Sequence, residues 1–150
     1  RSDCNRGVSG IDGSTSTAAG AACVGEGMTV LITGDMSFSY DVNGLSSTYL
    51  SPRFKIIVMC NGGGGIFRFI KPTSDLPELE TCFEIHRDIS VEKYADLFGL
   101  RYFELNDEKS AAEVLSLFFA EEDRPAILAV HTPNVYNAEV LRGYFRRSRQ

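Results

Sequence analysis

Three short apolar runs constrain the fold of this chain more than any other feature. They are "MTVLITGD" (28–35), "FKIIVMCN" (54–61) and "RPAILAVHT" (124–132), and each is predicted to be a buried strand, the first on both faces. "RYFEL" (101–105) is predicted to be a fourth, shorter strand. Helix-like segments lie between these runs. The alternation predicts an α/β, doubly wound, mostly parallel sheet with helices on both faces.

The helical segments differ in how clearly they are marked. A helix of small residues is predicted to begin near Ser14, and further helices are expected over 36–50, 90–100, 108–122 and 137–149. In the second of these, Phe38, Val42, Leu45 and Tyr49 are spaced to share one face. Residues 66–85 contain two prolines and are predicted to be mostly irregular.

Composition excludes several classes of function. The 150 residues suit a single domain, and a net charge of −5 argues against general nucleic-acid binding. No apolar run approaches the roughly 18 residues that a membrane-spanning helix needs. The four cysteines lack CxxC spacing, which favours free thiols in a cytoplasmic protein over a zinc site or a disulfide framework. The chain starts at Arg1 within a polar loop, so we expect a fragment of a longer protein.

Two loops, "GDMSFSYDVNGL" (34–45) and "NGGGGIF" (61–67), follow the first two buried strands directly. Taken singly, Asp35 reads as a helix cap or turn carboxylate, Asn61 as a turn residue, and the glycines as a flexible loop. Taken together they indicate a binding site, because ligands of parallel sheets bind beyond the carboxyl ends of the strands. We therefore expect the two loops to form one site.

The residue types in this pair of loops indicate a magnesium–diphosphate site. Carboxylate, amide and backbone carbonyl oxygens are the hard ligands that Mg²⁺ uses while it retains phosphate oxygens. The start of the helix after Asp35 offers N–H groups to a phosphate, and consecutive glycines let backbone approach a diphosphate closely. The chain contains neither GxxxxGK[ST] nor GxGxxG, which argues against a P-loop or a Rossmann dinucleotide site.

The two loops resemble the paired motif of thiamine-diphosphate enzymes, with Met36 at the third position of the first motif and Cys60 in place of the first asparagine of the second. Together with "NRGVSGIDGSTSTAAGAA" (5–22), they are most similar to the synthases of menaquinone biosynthesis. The resemblance is specific from Asn5 to about Ile70 and general beyond. It implies that residues 1–150 are the C-terminal, diphosphate-binding domain of such an enzyme, with a thiamine-diphosphate-binding fold.

The resemblance also implies individual roles for matching residues. Those that would bind Mg²⁺ or Mn²⁺ are Asp35 and Asn61 by side chain and Gly63 by its carbonyl. Those that would bind thiamine diphosphate are Ile11, as an apolar wedge, and Gly34, Met36, Ser37, Gly64, Ile66 and Phe67. Those that would face the substrates are Arg6, for a carboxylate, and Phe67 and Ile70. From the residues alone, Arg6 could equally be a surface charge or an ion-pair partner, and Ile11 and Phe67 could be core residues.

The implied activity is that of a transferase that decarboxylates 2-oxoglutarate and adds the succinyl-semialdehyde carbanion to isochorismate. Its activating glutamate is expected in a separate domain of a partner subunit, in a dimer or tetramer. We find no catalytic residue of that kind here and expect the 150 residues alone to be inactive. Two alternatives stay open: another thiamine-diphosphate-dependent decarboxylase or acetolactate-synthase-like enzyme, and a non-catalytic nucleotide- or phosphate-binding module.

Overall fold

The fold is built on one parallel sheet of four strands. In a computed structural model, which describes residues 2–5, 10–84, 89–120 and 123–147, the strands are β1 (Thr29–Gly34), β2 (Phe54–Cys60), β3 (Arg101–Leu105) and β4 (Ala126–His131). Their order across the sheet is β1-β2-β4-β3, and every pairing is parallel. The prediction of a parallel α/β sheet is confirmed.

Helices alternate with the strands along the chain. They are α1 (Ser14–Val24), α2 (Asp35–Tyr40), α3 (Gly65–Phe69), α4 (Val91–Phe98), α5 (Ala111–Phe118) and α6 (Asn134–Arg147). Short 3-10 helices span Val42–Ser46, Thr73–Asp75 and Glu108–Ser110, and a π-helix spans Leu79–Phe83. Across the described ranges, none of these helices has the length and apolar character to cross a bilayer.

Two apolar cores lie on opposite faces of the sheet. The larger one packs α1, α2 and α4 against side chains such as Phe54, Ile56 and Ile127. The smaller one packs α5, through Phe118, against Ala126 and Leu128 of β4. Because side chains alternate along each strand, successive residues of β4 point alternately into the two cores. The doubly wound architecture follows from that alternation.

The segment after β1 is less helical than its sequence predicts. Helix α2 ends at Tyr40, and a 3-10 helix replaces the expected continuation. Phe38 and Leu45 are buried, but Tyr49 lies outside the helix and is 82% exposed. The prediction of one shared face for Tyr49 is wrong, because Asp41 has non-helical backbone angles and the turn is broken there.

Strand β1 is not buried on both faces, contrary to prediction. Leu31 points into the larger core, but Val30 and Ile32 on the opposite face are 42% and 68% exposed. β1 is an edge strand in the described sheet. The helix on that face, α5, packs over β3 and β4 at the opposite edge of the sheet. An apolar run alone does not reveal whether both of its faces find a covering helix.

The described part of the segment 66–85, residues 66–84, forms several short helical turns, although the sequence predicts mostly irregular chain. Helix α3, the 3-10 helix at Thr73–Asp75 and the π-helix at Leu79–Phe83 all lie here. Pro72 and Pro77 cannot donate backbone hydrogen bonds, so the segment is divided into pieces too short to show a helical period.

Asp41 fixes α1 against the chain that follows α2. Its carboxylate accepts hydrogen bonds from the Ser16 backbone N–H at 2.7 Å and from the Ser16 hydroxyl at 2.6 Å. The N–H groups of a helix's first turn have no partner within the helix, so this distant carboxylate acts as the cap. The contact joins the first helix to the segment that follows β1.

Replacing that cap should destabilise the fold. We expect Asp41→Ala to lower the free energy of unfolding by about 1–2 kcal/mol, the usual cost of losing a helix cap. Urea unfolding followed by circular dichroism measures the change. Asp123→Ala is the control, since the Asp123 side chain is 81% exposed and should change stability by less than about 0.5 kcal/mol. Equal effects of the two substitutions would contradict the capping role.

Candidate functional site

Three strand ends bring the candidate site together. Gly34 at the end of β1 pairs with Met59 of β2, and Cys60 at the end of β2 pairs with His131 at the end of β4. The residues that follow these strands therefore share one edge of the sheet. They include both loops singled out by the sequence and, in addition, the turn that leads into α6.

The Asp35 carboxylate is the central group at this edge. Its Oδ2 atom accepts three backbone hydrogen bonds, from Asn61 at 3.1 Å, Gly62 at 2.8 Å and Gly63 at 3.1 Å. Its Oδ1 atom accepts one bond, from the Met36 N–H at 2.7 Å. Asp35 is only 5% exposed. The predicted meeting of the two loops is thus observed as direct contact between Asp35 and the glycine loop.

The glycine loop takes a backbone path that suits glycine. Gly62, Gly63 and Gly64 all have positive φ, at 85°, 88° and 66°. This path turns three successive N–H groups toward Asp35, while the Gly63 N–H also donates to the Asn61 Oδ1 at 3.0 Å. Larger residues would be strained at these positions. The quartet is therefore a shaped anion-binding turn, built here around a carboxylate.

Asp35 and the glycine loop bring three hard oxygen donors to this edge of the sheet, and the donors fit a divalent cation by their chemistry. They are the Asp35 carboxylate, the Asn61 amide oxygen and the Gly63 carbonyl. Because Oδ2 of Asp35 already accepts three N–H groups, Oδ1 is the carboxylate atom with capacity left for a metal. Among the described residues, no group of three His, Cys, Asp or Glu side chains could hold a metal ion. A metal bound to Asp35 here would therefore take its other ligands in this loop from amide and carbonyl oxygens.

Ser37 joins the segment before α1 to the start of α2. Its hydroxyl donates to the Ile11 carbonyl at 2.5 Å. Ile11 is 46% exposed, so the interpretation of this residue as part of the core is wrong. Ile11 and Ser37, predicted to contact one cofactor, are thus adjacent. Arg6 lies outside the residues that the structure describes.

Helix α3 and its C-cap residue Ile70 carry the apolar side chains that are predicted to form a wall next to the glycine loop. Gly64 is the residue before the helix, and Ile66, Phe67 and Ile70 are 60%, 36% and 44% exposed. The Phe67 ring contacts the Phe83 ring, with 5.5 Å between centroids, and its partial exposure excludes a role as a plain core residue. The wall therefore has apolar side chains available to a ligand.

The thiol of Cys60 borders the site without being ionised. Burial, with a smaller contribution from the nearby negative charge of Asp35, raises the pKa of Cys60 to about 11. The thiol is therefore neutral at physiological pH and adds no second negative charge beside Asp35.

A buried ionic cluster behind the loop was not predicted from the sequence. The Glu84 side chain is 0% exposed, and Arg68 binds both of its oxygens, Nε to Oε1 at 2.8 Å and Nη2 to Oε2 at 2.5 Å. Hydrogen bonds to Glu84 and then Glu80 raise the pKa of Arg68 above its ordinary value. Asn134, the first residue of α6, donates to Glu84 Oε1 at 3.0 Å.

Only one sequence signal pointed toward this cluster. The stretch "HTPN" follows a buried strand, as both site loops do, and Asn134 belongs to it. Glu84 lies in a segment without periodicity, so no pattern marks it. His131, in the same stretch, forms a contact with Glu104, with 3.0 Å between Nε2 and Oε1.

The fold and site define a class: a parallel α/β domain that gathers oxygen donors and backbone N–H groups at the carboxyl edge of its sheet. No protein-family model matches the chain. Curated proteins do match the chain, and three of them share the name 2-succinyl-5-enolpyruvyl-6-hydroxy-3-cyclohexene-1-carboxylate synthase. The protein of Porphyromonas gingivalis is 50% identical over 94% of this chain and 24% of its own length. That of Flavobacterium johnsoniae is 46% identical over 95% and 26%, and that of Bacteroides fragilis is 35% identical over 96% and 26%.

This chain is therefore a homologue of part of these synthases, and it spans about a quarter of their length. The predicted resemblance is confirmed. The similarity also extends well past Ile70, where the resemblance based on motifs became general, since 141 residues align with the protein of Porphyromonas gingivalis.

The close approach at Gly65 gives a test of the site's packing. A Cβ atom on Gly65 would lie 2.5 Å from Oδ1 of Asn134 and 2.8 Å from Nδ2 of Asn61. We expect Gly65→Ala to cost about 1–3 kcal/mol of unfolding free energy, because both asparagines would have to move. Gly20→Ala in α1, where a Cβ meets no atom within 4 Å, should be neutral or stabilising by up to about 1 kcal/mol. Urea unfolding of both variants measures this, and a Gly65→Ala protein of unchanged stability would refute the described packing.

Proposed function

We propose that this chain is the C-terminal metal- and diphosphate-binding domain of a thiamine-diphosphate-dependent synthase of menaquinone biosynthesis. The proposed reaction of the whole enzyme removes CO₂ from 2-oxoglutarate and joins the remaining four-carbon unit to isochorismate. Support comes from the name shared by relatives at up to 50% identity over 94% of the chain. Those relatives are about four times longer, so the complete activity belongs to a larger protein.

The observation that carries this proposal is the contact between Asp35 and the glycine loop. Three N–H groups on one carboxylate oxygen bring the two motifs together at the sheet edge. Charge-assisted hydrogen bonds of this kind are stronger than neutral ones, so the site is preorganised around Asp35. A turn carboxylate serving only as a helix cap would have no need of a second loop 26 to 28 residues away.

Asp35, Asn61 and Gly63 would hold Mg²⁺ or Mn²⁺ through a carboxylate, an amide and a carbonyl oxygen. All are hard ligands, and a cation bound by so few protein groups has positions left for diphosphate oxygens. The buried position of Asp35 favours such a role, since its negative charge is otherwise matched only by backbone N–H groups among the contacts described. The cation would balance that charge.

Thiamine diphosphate would bind beside the metal. Met36 and Ser37 would contact its diphosphate, aided by Gly34 and by the backbone around Gly64, while the exposed Ile11 side chain would serve as the apolar wedge. When bound, the cofactor supplies the electron sink for the decarboxylation. The chain's own contribution is to bind and orient it, and Ser37 does so partly by holding the Ile11 backbone through its hydroxyl.

The substrates would meet the wall formed by Ile66, Phe67 and Ile70. These exposed apolar side chains would exclude water from the reacting groups when covered by cofactor and substrate. Arg6 would bind a substrate carboxylate, for which a guanidinium is well shaped. A glutamate from another domain would activate the cofactor, in a cytoplasmic enzyme that is a dimer or tetramer.

Substitution of the proposed metal ligands tests the site directly. In the full-length enzyme, we expect Asp35→Asn and Asn61→Ala each to raise the Mg²⁺ concentration needed for half-maximal binding of thiamine diphosphate by at least about tenfold. Titration calorimetry measures the midpoint. Asp107→Asn is the matched control, because Asp107 caps the Glu108–Ser110 turn and lies in neither site loop. Midpoints that stay at the parent value would reject the assignment, as would tighter binding of ATP or NAD than of thiamine diphosphate.

The choice of substrates provides a second test. We expect the full-length enzyme to release CO₂ from 2-oxoglutarate and to form a coupled product only when isochorismate is present. Preferred use of two pyruvate molecules would instead favour an acetolactate-synthase-like activity. The 150-residue chain assayed alone should show no turnover, because the activating glutamate would be absent. Product analysis by mass spectrometry distinguishes these outcomes. Turnover by the isolated chain would contradict the assignment of the activating glutamate to another domain.

A further inference from the structure

The amide of Asn134 is directed at the glycine loop rather than at its own helix. Asn134 is the first helical residue of α6 and follows Pro133, so it does not occupy the N-cap position, where an asparagine accepts hydrogen bonds from first-turn N–H groups. Here the Asn134 Nδ2 atom donates to the Gly63 carbonyl at 3.4 Å and to Glu84 Oε1 at 3.0 Å. Both neighbours are acceptors, so the amide must present its nitrogen to them. The side chain links α6 to a residue 71 positions earlier.

Glu84 holds that amide in place. Its carboxylate is fully buried and is paired with both Nε and Nη2 of Arg68. A buried carboxylate is costly without such partners, which makes its position well defined. Arg68 belongs to α3, directly after the glycine loop, and its backbone carbonyl accepts a bond from Arg142 of α6 at 2.6 Å. The cluster therefore ties α3 and α6 together immediately behind the loop.

The loop is thus held by two side chains. Asp35 accepts hydrogen bonds from its N–H groups, and Asn134 donates to the Gly63 carbonyl. The fit around Gly65 is tight, since a Cβ there would meet Asn134 and Asn61. A carbonyl oxygen has two lone pairs, so one bond from Asn134 leaves the second available to a cation.

We propose that Asn134, held by Glu84, is a positioning residue that orients the Gly63 carbonyl for metal binding. This inference rests on the proposed metal site. Asn134 does not itself bind the metal or the reacting groups. Its role is to hold the peptide of Gly63 in the orientation that the cation requires, so that the loop need not rearrange on binding. Residues that orient metal ligands in this way typically change metal affinity by 10- to 100-fold when removed.

The test compares two asparagines of α6 in the full-length enzyme. Asn134→Ala should raise the Mg²⁺ midpoint for thiamine-diphosphate binding about tenfold, measured by calorimetry, while kcat at saturating Mg²⁺ stays near the parent value. Asn137→Ala is the control, because Asn137 lies three residues further along and donates only to Thr132 in the contacts described, at 3.2 and 3.0 Å. It should lower the unfolding temperature comparably and shift the Mg²⁺ midpoint less than twofold.

Equal Mg²⁺ midpoints for the two variants would overturn the inference. Glu84→Gln keeps the shape of the side chain and provides a second measurement if Asn134→Ala does not fold. It should raise the Mg²⁺ midpoint several-fold. An unchanged Mg²⁺ midpoint would also overturn the inference. Asp35→Asn distinguishes a failure of the positioning role from a failure of the proposed metal site. If Asp35→Asn shifts the midpoint and Asn134→Ala does not, only the positioning role fails. If neither shifts it, the metal site itself is wrong.

Discussion

The hydrogen bonds between Asp35 and the backbone of the glycine loop are the interaction on which the rest of the site depends. Four backbone N–H groups surround this one carboxylate, three of them from a loop 26 to 28 residues further along the chain. These bonds convert two turns into one structure. They also set the path of the loop, and that path gives Asn61 and the Gly63 carbonyl their positions relative to the carboxylate.

The parallel sheet makes this contact possible. β1, β2 and β4 are neighbours in register, so the residues after each strand emerge at the same edge. The loop is also in contact with a buried cluster of three side chains. Arg68 belongs to α3, Glu84 follows the π-helix, and Asn134 begins α6. The site therefore has three connected parts: the Asp35 carboxylate, the glycine loop, and the buried Arg68–Glu84 pair.

Much of this arrangement could be predicted before any coordinates were known. The alternation of apolar runs and helix-like segments predicts the parallel sheet, and the position of Asp35 and Asn61 after successive strands predicts their proximity. Other predictions were wrong for identifiable reasons. The spacing of Tyr49 predicts a place on a helical face, but the helix ends at Tyr40. The apolar run of β1 predicts burial on both faces, but apolar composition does not reveal which strand lies at an edge.

The sequence by itself determined the strands, the chemical nature of the oxygen donors and the close backbone approach that a glycine run permits. These features are local, since they depend on side-chain type and on spacing along a few residues. Only the tertiary structure decided that Asn134 would reach Gly63 and that Glu84 would be buried against Arg68. Those contacts depend on strand order and helix packing, and they join residues up to 71 positions apart that no sequence pattern connects.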